Sequence, residues 1–390
     1  MLRNLFKQSF VNAYHTASQA TKLKADTYIS PGMPQLKKSD KILSLFEFWP
    51  LWIMYFPVVI QWLMLSLYYR SLSLPLIANP NISTGGMVGY SKSGLLEQAS
   101  PVAHEALLNW VTYIVSEQPV SEQLEQIMEM LANNHLSLPI VAKPDLGCRG
   151  VGIKLINTEA ELQSCLKHYP PDSALMLQQL ADWEPEAGIF YVRHPGEERG
   201  RIISLALKYT PYVVGDGKST LHELLLADER IKQVIHLYKE RHEDKLDEII
   251  QDGQPFRLIF AASHSRGAIF RNGEEYISSA LTTYVDDVMS SLPEFYYGRL
   301  DVKFNNIESL MQGQDIAIIE INGTASESLH IWDKETKLTE AWSVLLKQYR
   351  ILFRIGAMNR ERGYTPPGIL SLWKAWRSEQ ALTAFYPPTD

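Results

Sequence analysis

Lys143 stands at the end of a strand-like run, Val141-Ala-Lys, and a loop holding Gly147, Gly150 and Gly152 follows it. Glycines let backbone amides approach phosphate oxygens closely, and successive amides form an anion-binding concavity. A lysine at that place adds a point charge. The same residues also suit a plain β-hairpin with a solvated lysine, so this stretch alone does not decide. A second group lies in Tyr297-Gly-Arg-Leu-Asp-Val-Lys303 and Ile318-Ile-Glu-Ile-Asn-Gly323. Arg299 and Asp301 are two residues apart, as are Glu320 and Asn322, so on strands each pair shares a face. Two adjacent strands would bring Asp301, Glu320 and Asn322 together as hard oxygen ligands, which suits magnesium shared with phosphate. Arg299 beside them could neutralise a transferring phosphoryl group. Cross-strand ion pairs on a solvent face are the alternative.

Other polar groups are less specific. Gly215-Asp-Gly-Lys-Ser-Thr220 looks like a phosphate loop, but the first glycine of that motif would fall at Tyr212. The stretch therefore reads as a turn into a helix capped near Ser219. Arg193, His264 and Arg266 are candidates for gripping a substrate, because arginine can clamp a carboxylate with two hydrogen bonds. Each is equally compatible with surface charge.

The elements that must position these groups follow from periodicity. Helical spacing of Ala106, Leu107, Trp110, Val111 and Ile114 predicts one helix, and Ser121–Leu131 a second. Strands are predicted at Leu74–Ala78, Leu138–Lys143, Gly150–Ile156, Ala174–Leu180, Gly188–Arg193, Arg201–Leu207, Tyr212–Val214, Arg257–Ser263, Gly298–Phe304 and Asp315–Ile321. Helices are predicted at Thr158–Lys167, Ser219–Glu243 and Leu338–Phe353, with an irregular tail after Tyr364. The order does not alternate as βαβ, and no G-x-G-x-x-G follows the first strand. The fold class is therefore α+β rather than a Rossmann fold. The expected organisation is a basic polar arm (1–40), an apolar segment and Gly/Pro-rich loop (41–100), a small lobe (101–183), a large lobe (184–335), and a C-terminal helix and tail (336–390).

Taken together, AKPDLGCRGVGI, LMLQQLADWEPEAGIF, and GRLDVKF followed by IIEINGTAS resemble the ATP-grasp superfamily over roughly residues 105–330, about 60% of the chain. The pattern R-x-D then E-x-N, with VVGDGKSTLHELL, is most similar to D-alanine–D-alanine ligases and cyanophycin synthetases. The stretch FEFWP…ANPNISTGG…SK resembles an uncharacterised bacterial group of ATP-grasp proteins, which has Glu-Ser-Lys where this chain has Tyr90-Ser91-Lys92. The resemblance implies two α+β lobes clasping ATP. Lys143 would touch the α- and β-phosphates, with Gly147, Gly150 and Gly152 over them. Gln178, Gln179 and Leu180 would lie along adenine, although the first of these is often Glu in the family. Glu186 would reach the ribose, and Lys208 is a second phosphate lysine. Asp301, Glu320 and Asn322 would hold Mg2+, and Arg299 would face an acyl phosphate. The implied activity is an ATP- and Mg2+-dependent carboxylate–amine ligase. Thiol ligation, phosphotransfer and a non-catalytic, membrane-associated nucleotide-binding protein are the alternatives.

A net charge of −7 excludes a general nucleic-acid-binding surface. Two cysteines favour a reducing compartment, and the N-terminus lacks the form of a signal peptide, so a cytoplasmic site is expected. Phe48–Tyr69 carries no charge and is long enough to cross a bilayer. The preceding residues 1–41 hold seven Lys and Arg against two Asp. Positive-inside orientation would then put an ATP-consuming domain outside. Pro57 is expected to break the segment in two. The favoured reading is a bent insertion on the inner leaflet, against burial in the protein or an oligomer interface.

Overall fold

The computed structural model describes residues 28–36, 44, 46–47, 49–147, 150–263 and 266–389. Most of the basic arm, Phe48 and His264 lie outside the described residues. The chain forms two compact units, Met1–Leu43 with Tyr209–Ile269, and Ser44–Lys208 with Phe270–Asp390. Helices and strands follow one another without a regular βαβ alternation, and the strands pair antiparallel, which is the α+β class expected.

The larger unit contains two sheets. In the first, β1 (Trp110–Ile114), β4 (Ala174–Gln179), β2 (Ile140–Pro144) and β3 (Lys154–Ile156) lie side by side in that order. Helices α2 (Val120–Asn133) and α3 (Glu159–Leu166) contribute Ile127, Leu131, Leu162 and Leu166 to one core with Ile140, Leu175 and Leu177. Thr158 caps α3 by accepting from the Glu161 amide at 3.2 Å. The second sheet has the order β11 (Ile316–Asn322), β10 (Tyr297–Phe304), β5 (Glu186–Val192), β6 (Arg201–Tyr209) and β9 (Ile269–Asn272). All of β5 is buried, as a central strand should be. The long helix α5 (Leu338–Glu361) packs along α1 (Leu51–Tyr69), and helix α4 (Ser279–Ser290) sends Asp286 to the Tyr191 hydroxyl at 2.7 Å.

Several expected elements differ. Residues 110–114 form β1 rather than a helix, and of the expected helix only the stretch Pro101–His104 just before it is helical. Trp-Val-Thr-Tyr-Ile is β-branched and aromatic, and register with β4 decides the matter. Leu74–Ile77 is a 3-10 turn, not a strand. Pro57 does not break the apolar segment, because α1 is continuous from Leu51 to Tyr69. The tail contains α6 (Ile369–Thr383), where an irregular chain was expected.

The loop 79–86 explains the Asn- and Gly-rich stretch. Buried Asn79 accepts from the Tyr296 and Tyr297 amides at 2.9 and 3.0 Å and donates to the Tyr297 and Gly85 carbonyls at 2.8 and 3.2 Å. It therefore fixes where β10 begins. Gly86, at φ +80°, crosses the end of β11 so closely that a Cβ would lie 2.8 Å from the Gly323 Cα. Asn79→Ala strands two backbone amides and should cost about 3 kcal/mol in urea unfolding, at about 1–3 kcal/mol for each buried group left unpaired. A change under about 0.5 kcal/mol would contradict this role.

In the smaller unit, β7 (Tyr212–Val214) pairs with β8 (Pro255–Arg257). Asp216 accepts from the Lys218 and Ser219 amides, which makes Gly215–Thr220 a turn, as expected. The helix after it runs only from Leu221 to Ala227, and its cap is Thr220, reciprocated by Glu223. A 3-10 turn (Ile231–Val234), a short helix (Ile235–Arg241) and a second 3-10 turn (Glu243–Lys245) follow it, in place of the single long helix expected there.

Candidate active site

The pairing of β10 with β11 sets Arg299 opposite Asn322 and Asp301 opposite Glu320. All four side chains thus share one face. On the other side of β10, Asp301 lies opposite Gly188 and Lys303 opposite Glu186, while Lys208 of β6 is opposite Glu186. The absence of a side chain at Gly188 matters, since a Cβ there would lie 3.2 Å from Arg299 and 3.3 Å from Asp301.

These residues form one ionic cluster. Arg299 donates twice to Asp301, from Nε at 2.8 Å and from Nη2 at 3.0 Å. Lys208 Nζ lies 3.0 Å from Asp301 and 2.8 Å from Glu186, and Lys303 lies 2.9 Å from Glu186. Asn322 Nδ2 donates to Asp301 at 3.3 Å. Burial pushes the Asp301 carboxyl upward, but Arg299 and Lys208 outweigh it and hold it at about 2. Burial likewise opposes charge on Glu186, and Lys208 and Lys303 prevail to lower its pKa. The carboxylate of Glu320 makes no hydrogen bond or ion pair with a described residue.

Lys143 reaches this cluster from the other sheet. Its Nζ donates to Gln178 Oε1 and to the Ile319 carbonyl, each at 2.8 Å. Burial lowers its pKa from 10.5 to about 8, against the pull of Glu320. A buried, under-compensated ammonium is a place where an anion gains binding energy. Gln178 Nε2 is buried with no partner among the described residues. Gln179 ends β4, where its amide donates to the Asn109 carbonyl at 2.8 Å, and Leu180 follows it.

The glycine loop is held from two directions. Lys92 Nζ donates to the Gly147 carbonyl at 2.6 Å and lies 3.3 and 3.4 Å from the carbonyls of Pro144 and Asp145. Thr389 Oγ1 accepts from the Gly152 amide at 2.9 Å and donates to the Gly150 carbonyl at 2.7 Å. Gly152 has φ +78°, which a glycine tolerates without strain. Tyr90 lies instead near Glu320 and Gly323, at the end of β11, where burial, then Glu320, raises its phenol pKa well above the usual value.

The sequence alone assigns no role to Tyr90 or Thr389, since each is far along the chain from the residues it meets. Arg193 is not part of the cluster. It sits 5.3 Å over the Tyr296 ring, beyond the far end of β5. Arg266 belongs to the smaller unit, where its carbonyl accepts from Tyr238 at 2.7 Å.

Whether this face suits a magnesium ion can be tested from its donors. Among the described residues no three His, Cys, Asp or Glu side chains gather for a metal. Two cross-strand carboxylates and the Asn322 amide oxygen remain, with Glu320 unengaged. That set is too sparse for a full protein cage. It fits an ion that takes its other ligands from phosphate and water.

No protein-family model matches the chain, and no curated protein matches its sequence. Among solved structures it is similar to a bifunctional glutathione synthetase from Pasteurella multocida, with 13% identity over 66% of this chain and 36% of that one and a TM-score of 0.32. It is also similar to the D-alanine-D-alanine ligase of Coxiella burnetii, with 9% identity over 76% and 64% and a TM-score of 0.38. The Bacillus anthracis D-alanine–D-alanine ligase complexed with ATP gives 13% identity over 70% and 68% and a TM-score of 0.38. The chain thus spans about a third of the first protein and just under two thirds of the second.

Proposed function

We propose that this protein is an ATP-grasp enzyme that uses ATP and Mg2+ to activate a carboxylate for attack by an amine. The observation that carries this reading is the convergence of Lys143, from one sheet, with Arg299, Asp301, Glu320 and Asn322, from the other. The glycine loop and Gln178 beside Lys143 support a nucleotide, with Gln178, Gln179 and Leu180 along the base. Glu186 is spent on Lys208 and Lys303, and Lys208 on Glu186 and Asp301, so in this reading they act by holding Asp301 in place rather than by gripping ribose or phosphate directly.

Lys143 would bear on the phosphates and Arg299 on the charge that develops at the transferred group. Asp301, Glu320 and Asn322 would hold Mg2+, which would supply charge neutralisation for the phosphates. The substrate carboxylate takes the γ-phosphoryl group to give an acyl phosphate and ADP. The amine then displaces phosphate to form an amide. The chain's part is positioning and a preset field. ATP supply puts this reaction in the cytoplasm.

The test is ATP turnover with hydroxylamine present. Trapped hydroxamate supports the acyl phosphate, and turnover without it favours phosphotransfer to another group. Absence of both ATP binding and phosphate release removes the enzyme reading.

A pH dependence follows from Lys143. Below about 8 the free protein holds its ammonium and binds triphosphate at full strength. Above that value ATP binding must take up a proton, so affinity should fall about tenfold per pH unit. Calorimetry across this range checks it. Lys143→Arg should bind with no such slope, because arginine stays charged.

A further inference from the structure

Helix α1 buries one side and leaves the other open. Met54 and Val58 are buried, while Trp62 and Tyr69 pack on Phe353 of α5 with ring centroids 5.1 and 6.0 Å apart. On the open side Trp52, Phe56, Leu63, Met64, Leu67 and Tyr68 are each more than half exposed, Leu67 by 80%. Their spacing makes one stripe along the helix. No residue from Leu51 to Tyr69 is charged, and the mean hydropathy reaches 1.6.

The helix packed against α1 carries cations along its middle, with acids, Glu340 and Glu361, only near its two ends. α5 runs alongside α1 in the same direction. Trp342 donates to the Met54 carbonyl at 3.1 Å, and Arg360 to the Tyr69 carbonyl at 2.8 Å. Between Ala341 and Arg360 there is no Asp or Glu, but there are Lys347, Arg350, Arg354 and Arg360. The first three are exposed at i, i+3 and i+7, and none has an ion pair with a described residue. Ahead of α1 in sequence, residues 1–41 add seven cations against two acids, in a chain whose net charge is −7. An apolar stripe with aromatic residues near both ends, next to a helix whose middle turns carry cations and no acid, complements one kind of surface: anionic headgroups over an acyl layer. A span does not fit, because α1 is packed along α5, and crossing would draw Lys347, Arg350 and Arg354 into hydrocarbon.

We propose that α1 and the exposed cations of α5 form an in-plane docking surface for an anionic lipid bilayer. The stripe lies at the acyl boundary, and Lys347, Arg350 and Arg354 meet the headgroups. None of these residues belongs to the ATP cluster, so this inference and the ligase reading fail separately. Vesicle binding without ATP turnover would retain the first and reject the second.

The experiment is co-sedimentation of the full chain with vesicles of phosphatidylcholine alone, or of phosphatidylcholine mixed equally with phosphatidylglycerol. The expected result is strong binding to the mixed vesicles, weakened by salt. Leu63→Asp with Leu67→Asp should reduce it about a hundredfold, at about tenfold for each leucine withdrawn from the acyl layer. Arg350→Glu with Arg354→Glu should remove the preference for the anionic mixture, at about fivefold or more per charge. Both pairs are exposed, so the urea unfolding midpoint should stay unchanged and serve as the folding control. Failure of the wild-type chain to bind either vesicle overturns the proposal, as does binding indifferent to both variants. A dimer that Leu67→Asp converts to monomer, with no vesicle binding, would assign the stripe to a second copy instead.

Discussion

Glu320→Gln should lower Mg2+-dependent ATP turnover about a hundredfold to a thousandfold while changing folding stability by less than about 1 kcal/mol. The asymmetry comes from the cluster itself. Every other acid there is engaged, Asp301 by Arg299 and Lys208 and Glu186 by two lysines, whereas the Glu320 carboxylate has no described partner. The substitution keeps the shape and removes one negative charge, so it subtracts a ligand for the cation without leaving a buried ion alone. Phosphate release at saturating ATP, read beside urea unfolding, separates the two effects. Turnover within a factor of three of wild type would show that Glu320 holds nothing the reaction needs.

Asp301→Ala should behave differently and unfold the protein more easily by about 3–5 kcal/mol, the usual cost of removing one member of a buried ion set. Arg299, Lys208 and Asn322 all donate to this carboxylate, and its removal leaves two cations in a site with one acceptor fewer. Loss of activity in this variant would therefore say little about chemistry. The double variant Asp301→Ala with Lys208→Met should recover part of the stability, since the stranded charge goes too. Acid makes the same point. The Asp301 carboxyl is held at about 2, below its ordinary 3.8, so its contribution is complete above about pH 4 and fades as pH falls toward 2. Equal stability of wild type and Asp301→Ala in urea at neutral pH would contradict the keystone role.

The strands that bear the cluster were legible in the sequence. Apolar residues alternate with Arg299, Asp301, Glu320 and Asn322, and a two-residue period allows one reading of the faces. Their mutual register was not legible, because nothing in either segment says which residue lies opposite which. Trp110–Ile114 was misread since its apolar residues match helical spacing by accident, and the partner strand that overrules it lies some sixty residues on. Pro57 looked like a break because its missing amide was weighed without the cover that α5 gives to α1. The roles of Tyr90 and Thr389 could not be read at all, since each depends on a fold that brings a distant segment to the glycine loop or to the end of β11. The ion pairs of Lys208 were equally hidden, because a lysine drawn inward by two acids looks in sequence like one waiting for phosphate.

A polar thread runs from the apolar helix toward the cluster. The Tyr55 hydroxyl donates to Glu327, Trp332 Nε1 donates to the other oxygen of that carboxylate at 2.7 Å, and the Glu327 carbonyl receives Arg299 at 3.3 Å. Trimming the chain back to residue 72 to gain solubility would therefore not remove a detachable anchor. It would uncover Phe353 and cut the tether that steadies the backbone behind Arg299. Soluble preparations that keep the chemistry should blunt the outward stripe by substitution and leave Tyr55 where it is.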